Sequence, residues 1–133
     1  MTNDNLSTAD RAGTRAPITI EKAAGPVNVT FNGAVLATTK DALIVRETGH
    51  APVYYFPKDH VEMAFLLEND HRTRCPCKGE ARYWNISAEG QGAENAVWAY
   101  DAPYAGVEEL AGTLAFDASK VTIDDGGASA AGR

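Results

Sequence analysis

Two cysteines stand two positions apart in a segment rich in positive charge. Residues 71–82 (HRTRCPCKGEAR) hold Cys75 and Cys77 together with four of the 12 Lys and Arg residues and a single acid. Positive charge around a thiol favours the thiolate, which is the form that attacks electrophiles. We therefore consider Cys75 a candidate catalytic nucleophile, with Lys78 or Arg74 as its cationic neighbour.

Other interpretations of this segment stay open. The thiols could be inert groups in a tight, proline-containing loop, and the cations could be solvated or paired with nearby carboxylates. A structural zinc site needs four ligands, whereas the chain has two cysteines and only His71 close by as a third candidate. We expect no metal site and no cofactor.

A second group of residues could bind a ligand by stacking. If residues 90–92 (GQG) close a hairpin as a three-residue loop, Trp84 directly faces Trp98. In the same register Arg82 faces Tyr100, and all four side chains share one side of the sheet. Two indoles, a phenol and a guanidinium would then form a box for an anionic or heteroaromatic ligand. The alternative is a hydrophobic core with an arginine at its edge.

Two further side chains belong to this predicted ligand site. Lys78 would hold a negative charge of the ligand. Tyr54 and Tyr55 point to opposite faces of one strand, so that at most one of them can line the site, and we assign Tyr55. The candidate ligand-binding residues are therefore Trp84, Trp98, Tyr100, Arg82, Lys78 and Tyr55.

The elements that must position these side chains are short strands. Apolar and polar residues alternate over residues 27–31, and Asn32-Gly33 follows, the pair that best tolerates the two positive φ angles of a type I′ turn. Residues 34–39 return as the partner strand. Further strands are predicted at residues 42–47, 53–56, 82–87, 95–100, 113–116 and 120–123. Such runs predict a mainly-β domain of short antiparallel strands and hairpins.

Little helix is expected. Asp59 and Glu62 have the spacing of a capping box, which predicts a short helix after Pro57. Residues 107–110 could add one helical turn. The polar segment 69–80 shows no periodicity and is predicted to be a long loop.

Length, composition and charge limit the classes of protein that remain. A chain of 133 residues with 44% apolar and 23% charged residues fits one soluble globular domain. We expect a folded unit at residues 17–123 between flexible tails at residues 1–16 and 124–133. The net charge of −6 argues against a general nucleic-acid coat.

The sequence also bears on the cellular compartment in which the protein is found. No apolar run approaches the roughly 18 residues that span a bilayer. The first residues lack the apolar core of a signal peptide, and the two cysteines do not form a secreted disulfide framework. We expect a cytoplasmic protein without nucleic-acid or membrane partners, while its oligomeric state is left open.

Five motifs in a fixed order resemble a known bacterial family, the domain of unknown function 427, over residues 27–123. The motifs are Glu47-Thr48-Gly49-His50, Tyr54-Tyr55-Phe56-Pro57-Lys58-Asp59, Cys75-Pro76-Cys77-Lys78-Gly79, Asn95-Ala96-Val97-Trp98-Ala99-Tyr100 and Ala115-Phe116. The resemblance implies a small β-tent fold, shared with methionine sulfoxide reductase B and the thalidomide-binding domain of cereblon. It implies no established reaction. Some classifications label the family a nucleotidyltransferase, but the chain shows neither a Gly-rich phosphate loop nor a paired-Asp metal motif.

The chain departs from the family pattern at one position. The family usually reads Cys-Pro-Tyr-Lys-Gly, and Cys77 stands here in place of the tyrosine. Many β-tent relatives hold zinc with two Cys-x-x-Cys pairs, and a chain with two cysteines lacks that site.

Three functions follow as hypotheses. The first is a domain that binds a small anionic or heteroaromatic, nucleotide-like ligand in an aromatic pocket edged by the basic segment. The second is a cysteine-dependent enzyme, redox or nucleophilic, that uses Cys75. The third is a protein-interaction module, which would require an exposed apolar patch.

Overall fold

Ten strands lie within residues 18–126, the part of the chain that the computed structural model describes. The strands are β1 (Ile18–Lys22), β2 (Val27–Phe31), β3 (Ala34–Thr39), β4 (Leu43–Glu47), β5 (Val53–Pro57), β6 (Leu66–Cys75), β7 (Gly79–Ala88), β8 (Gln91–Ala99), β9 (Thr113–Phe116) and β10 (Thr122–Asp124). Three single-turn 3-10 helices lie at Lys58–His60, Met63–Phe65 and Glu108–Leu110. The mainly-β expectation is confirmed, and so is the helical turn near residue 110.

The strands form two antiparallel sheets. Seven of them make one sheet in the order β1-β4-β5-β9-β8-β7-β6, and three make a second sheet in the order β10-β2-β3. The main core fills the space between the sheets, since its buried apolar side chains come from both. They include Val27, Val29, Leu36, Ile44, Phe56, Trp84, Ile86, Val97, Leu114 and Phe116.

The other face of the seven-stranded sheet carries a second, smaller apolar cluster. Val45, Tyr55 and Tyr100 are buried there, and Val107 and Leu110 from the segment after β8 cover part of it. Partly buried apolar and aromatic side chains surround them, so this face is only half covered. The alternation of side chains along each strand separates this face from the main core.

The β2–β3 hairpin confirms the turn chemistry read from the sequence. Asn32 has a φ of 51° and Gly33 a φ of 87°, which are the two positive angles of a type I′ turn. Asn tolerates this region because its short polar side chain can bond locally, and Gly has no Cβ to clash.

The prediction of a long loop at residues 69–80 is wrong over most of its length. Residues 69–75 belong to β6, which pairs with β7 and, within residues 18–126, forms an edge of the seven-stranded sheet. Most β6 side chains are exposed, so the strand lacks the apolar alternation that marks a half-buried strand. Charged side chains on an edge strand also hinder pairing with a second molecule.

The predicted capping box does not form. Pro57 precedes the 3-10 turn Lys58–His60, and no side-chain hydrogen bond caps it. The chain is instead tied to β3, because the Glu62 N–H donates to the Leu36 carbonyl at 2.8 Å and Val61 forms a bridge with Ala37. Backbone bonds to a neighbouring strand prevent this segment from continuing as an α-helix.

The register predicted for the β7–β8 hairpin is also wrong. The strands are joined by a two-residue turn, with Ala88 opposite Gln91, and a bulge follows between Trp84 and Ile86. As a result Trp84 lies opposite Val97. A shift of one residue sends a side chain to the other face of the sheet, so the predicted Trp84–Trp98 and Arg82–Tyr100 pairs do not exist.

Three asparagines stabilise this bulge and a second one in β6. The Asn85 side-chain oxygen accepts the Asn95 N–H at 3.0 Å and the Asn69 side-chain N–H at 2.6 Å. Asn95 itself has a φ of 52°. Both bulges therefore depend on one set of amide bonds.

The predicted N-terminal tail lies outside the described residues, and the predicted C-terminal tail does so from residue 127. Asp124, assigned to that tail, ends β10. No helix within residues 18–126 has the length and apolar character needed to cross a membrane.

Candidate functional site

A row of side chains crosses the half-covered face of the seven-stranded sheet. Direct cross-strand pairs join Leu43 to Tyr55, Tyr55 to Ala115, Ala115 to Trp98 and Trp98 to Tyr83. Tyr100 follows Trp98 by two residues and lies on the same face, with its ring centre 6.5 Å from that of Tyr55. We call Tyr55, Tyr83, Trp98 and Tyr100 the aromatic face.

Ala115 leaves room for a contact across the centre of this row. Its small side chain lies between Tyr55 and Trp98, and the Trp98 indole N–H donates to the Tyr55 hydroxyl at 3.3 Å. Tyr55 is only 2% exposed, whereas Trp98 and Tyr83 remain partly exposed. The aromatic face thus has a buried floor at Tyr55 and an accessible side at Trp98 and Tyr83.

The turn between β6 and β7 brings a charged pair to this face. Residues 76–78 form the turn, in which the Lys78 N–H donates to the Cys75 carbonyl at 3.3 Å. The Lys78 ammonium donates to a Glu47 carboxylate oxygen at 3.1 Å and lies 3.9 Å from the Cys75 sulfur. Lys78 is 9% exposed, and we call Glu47, Lys78 and Cys75 the polar triplet.

The segment after β8 holds the turn in place. The Tyr104 N–H donates to the Lys78 carbonyl at 3.0 Å, and its ring lies against Gly79. Gly79 has a φ of 119°, and a Cβ there would stand 3.3 Å from the Ala102 carbonyl oxygen. Glycine is required at this position both for the backbone angle and for the close approach of Ala102.

Burial controls the electrostatics of the site. Loss of hydration raises the pKa of Tyr55, although the hydrogen bond from Trp98 and the charge of Lys78 act in the opposite direction. Burial, followed by the neighbouring Tyr55, also raises the pKa of Tyr100. Both phenols therefore stay protonated well above neutral pH and can act as hydrogen-bond donors.

The pKa of Lys78 results from opposing effects. Burial alone would lower it, but the Cys75 sulfur and the Glu47 carboxylate outweigh that effect, and the pKa is raised. The ammonium consequently keeps its proton and cannot serve as a base. It can stabilise negative charge on a neighbouring atom.

The edge strand adds two contacts to the aromatic face. The His71 ring packs edge-on against Tyr83, with their centres 4.5 Å apart. The Thr73 hydroxyl lies 2.9 Å from the Tyr83 hydroxyl. These contacts fix the ring of Tyr83, which lies nearest to the sheet edge.

The structure divides the predicted ligand-binding residues between two faces. Tyr55, Trp98, Tyr100 and Lys78 lie together, and Cys75 packs beside them. Trp84 is 4% exposed and belongs to the main core on the opposite face. The two-residue turn between β7 and β8 causes this separation, because it sets a register one residue away from the predicted one.

Arg82 is on the same side as Trp84. Its guanidinium lies 4.5 Å from the centre of the Trp84 ring and forms ion pairs with Glu68 at 2.9 Å and Asp101 at 2.5 Å. Arg72 lies directly opposite Arg82 and shares that face. A cavity of about 210 Å³ there is lined by Arg72, Glu80, Arg82, Asp101 and Ala102. Of the four cations in the basic segment, only Lys78 belongs to the polar triplet.

Sequence reasoning missed two members of the site. Glu47 reads as a surface residue at a strand end, and nothing local indicates that Lys78, 31 positions later, pairs with it. Tyr83 was overlooked because the wrong register placed Trp84 opposite Trp98. Tyr83 lies two positions after Ala81 in the same strand, so both side chains point to one face, and Ala81 is fully buried in the second cluster.

Candidate metal ligands and large exposed apolar side chains are dispersed over residues 18–126. Within residues 18–126, no three His, Cys, Asp or Glu side chains are grouped so as to hold a metal ion. The large exposed apolar side chains of this part, Val35, Leu67 and Tyr104, lie on three different segments.

The family comparison covers every element of the site. No curated protein matches the chain at a significant level. One family model matches residues 19–125, and its short name, NTP_transf_9, is a label rather than an assigned activity. Both the aromatic face and the polar triplet lie within the matched residues. The chain belongs to the family described as Domain of unknown function (DUF427).

Proposed function

We propose that the protein binds a small, flat heteroaromatic ligand on the aromatic face, with a polar edge of the ligand against Lys78 and Glu47. One observation carries this proposal: a nearly buried ion pair borders an aromatic surface that is still partly exposed. Small-molecule sites commonly combine aromatic walls with a few placed polar groups. A purely structural core would be expected to cover Trp98 and Tyr83 more completely.

The charges favour a heteroaromatic ligand over a strongly anionic one. Glu47 lies 3.1 Å from Lys78 and neutralises most of its charge, while Arg72 and Arg82 are on the opposite face. A neighbouring ammonium and carboxylate offer donors and an acceptor side by side. This combination suits the edge of a ring that carries both an acceptor and a donor, as a nucleobase does.

A binding screen tests the proposal directly. The purified protein is heated with free nucleobases, nucleotides and aromatic carboxylates, and the unfolding temperature is compared with that of the free protein. A ligand present at one hundred times its Kd should stabilise the native state by about 2.7 kcal/mol. We expect the nucleobase-like compounds to give the largest shifts.

Variants on the two faces locate the binding. Trp98→Ala removes the accessible ring, and the double variant Glu47→Gln/Lys78→Met removes the pair without leaving one buried charge alone. Arg82→Ala is the control, since it lies on the opposite face of the same hairpin. Binding lost in the first two variants and kept in the third supports the proposal. Binding lost only in Arg82→Ala, or no binding by any compound to folded protein, would refute it.

A further inference from the structure

We propose that Cys75 is an acyl-accepting nucleophile and that its substrates are esters or amides of flat aromatic carboxylic acids. The proposal rests on the proposed function, because the aromatic face would hold the ring of the acyl group. In this proposal the polar triplet carries out a chemical reaction, whereas ligand binding alone would require only the charges of Lys78 and Glu47.

The geometry around the sulfur supports a nucleophilic role. Cys75 ends β6 and is partly exposed, so a substrate can reach it, and it packs against the aromatic face. The Lys78 ammonium lies 3.9 Å from the Cys75 sulfur and 3.1 Å from the Glu47 carboxylate. One cation therefore contacts both the nucleophile and a carboxylate that can accept a proton.

Each member of the polar triplet has a separate task in the reaction. The Cys75 sulfur attacks the carbonyl carbon, a carbon–sulfur bond forms, and the bond from that carbon to the alcohol or amine breaks. Glu47 accepts the thiol proton and passes it to the departing alcohol or amine. Lys78 stabilises the negative charge that develops on the carbonyl oxygen.

A second step completes the turnover. Water attacks the thioester carbon, the carbon–sulfur bond breaks, the carboxylic acid leaves and the thiol regains its proton. Glu47 again relays the proton, in this step from the water to the sulfur. The sequence needs no oxidant or reductant, because water and the ester or amide supply every atom.

Cys77 provides a matched control within the same turn. It is partly exposed, like Cys75, and stands two residues away. The Lys78 ammonium contacts the sulfur of Cys75. Acylation directed by the polar triplet should therefore select Cys75, whereas chance reactivity of exposed thiols should modify both cysteines.

The probe p-nitrophenyl benzoate tests the proposal with the full chain. We expect a burst of nitrophenolate close to one per chain, and a benzoyl adduct that intact-mass measurement and peptide mapping assign to Cys75. Cys75→Ser should abolish the burst, and Cys77→Ser should retain it. Glu47→Gln/Lys78→Met should slow the burst by about a hundredfold, the scale for loss of one oxyanion donor.

The outcomes separate this proposal from the binding proposal. No adduct on Cys75, or equal adducts on both cysteines, would overturn the nucleophile assignment. If nucleobase-like ligands still shift the unfolding temperature of the same sample, the binding proposal survives that result. Cys75 could instead be acylated at the same rate in the Trp98→Ala variant and in the unsubstituted protein. In that case the aromatic face does not hold the acyl group, and the proposed substrate class is wrong. Circular dichroism confirms that each variant is folded.

Discussion

The ammonium of Lys78 donates to a carboxylate oxygen of Glu47 at 3.1 Å. This contact joins the β6–β7 turn to the end of β4, although β5, β9 and β8 lie between β4 and β7 in the sheet. The fold therefore brings the β6–β7 turn close to the end of β4, and the ion pair borders the aromatic face.

Glu47→Gln should lower the free energy of unfolding by about 1–3 kcal/mol, because it leaves a largely buried ammonium with a weaker partner. Denaturant unfolding monitored by tryptophan fluorescence measures the change. Glu21→Gln is the matched control, since the Glu21–Arg46 pair is 2.9 Å long but exposed. The control should change stability by no more than about 0.5 kcal/mol. Equal losses in both variants would contradict the burial argument.

Stability should fall in alkaline solution. The pKa of Tyr55, which burial raises, and the pKa of Lys78, which Cys75 and Glu47 raise against the effect of burial, both exceed their ordinary values. Above about pH 10 the unfolded chain loses protons that the native state keeps, so the free energy of unfolding decreases as pH rises. Below that pH the contribution is fully present. Denaturant titrations across this range measure the slope.

Tyr55→Phe should reduce this alkaline slope, because it removes one of the groups that keeps its proton in the native state. Tyr104→Phe is the control, since that side chain is 40% exposed. An unchanged slope in Tyr55→Phe would contradict the assignment of the pH dependence to the aromatic face.

The two tryptophans should differ strongly in access to a quencher. Trp98 is partly exposed on the aromatic face, whereas Trp84 is 4% exposed in the main core. Trp84→Phe leaves Trp98 as the fluorophore, and acrylamide should quench it several-fold more efficiently than it quenches Trp84 in Trp98→Phe. Similar quenching in the two variants would indicate that both indoles lie on one face, as the wrong register required.

Gly79→Ala should destabilise the protein by about 1–3 kcal/mol, since it strains the backbone and brings a Cβ against a carbonyl oxygen. Gly90→Ala serves as the control, because Gly90 also has a positive φ, 76°, but a Cβ there meets nothing within 4 Å. The difference between the two losses isolates the contact with Ala102. A loss in Gly90→Ala as large as that in Gly79→Ala would remove this contact as a cause.

Asn85→Ala should cost about 1–3 kcal/mol, because the Asn95 N–H and the Asn69 amide then lose their shared acceptor. Ser87→Ala, an exposed position on the same strand, should change stability by less than about 0.5 kcal/mol. Thermal and denaturant unfolding of both variants provide the comparison. Equal, small losses would show that the amide bonds do not stabilise the bulges.

Local chemistry made several elements predictable. Asn32-Gly33 specifies its turn through two positive φ angles, alternating apolar residues identify β2, and short apolar runs identify β4 and β9. Tyr54 and Tyr55 face opposite sides for the same reason. Such features depend on residues within a few positions of one another, so the sequence contains them directly.

Features that depend on partners elsewhere in the chain were not predictable in this way. The edge strand β6 has few buried side chains, and its backbone pairing with β7 makes it a strand. The bulges of β6 and β8 depend on asparagines from three strands. One residue of register then decided that Trp98 joins Tyr55 while Trp84 enters the core.

The class of fold, most strands and the residue types of the site follow from local sequence, because side-chain alternation and turn chemistry involve residues that are close together in the chain. Which of those residues contact one another depends on the tertiary fold. Lys78 finds Glu47 because the β6–β7 turn reaches back over the face. Arg82 lies on the opposite face because the two-residue β7–β8 turn sets the register of that hairpin. Contacts of this kind depend on strand order and register, which no short stretch of sequence specifies.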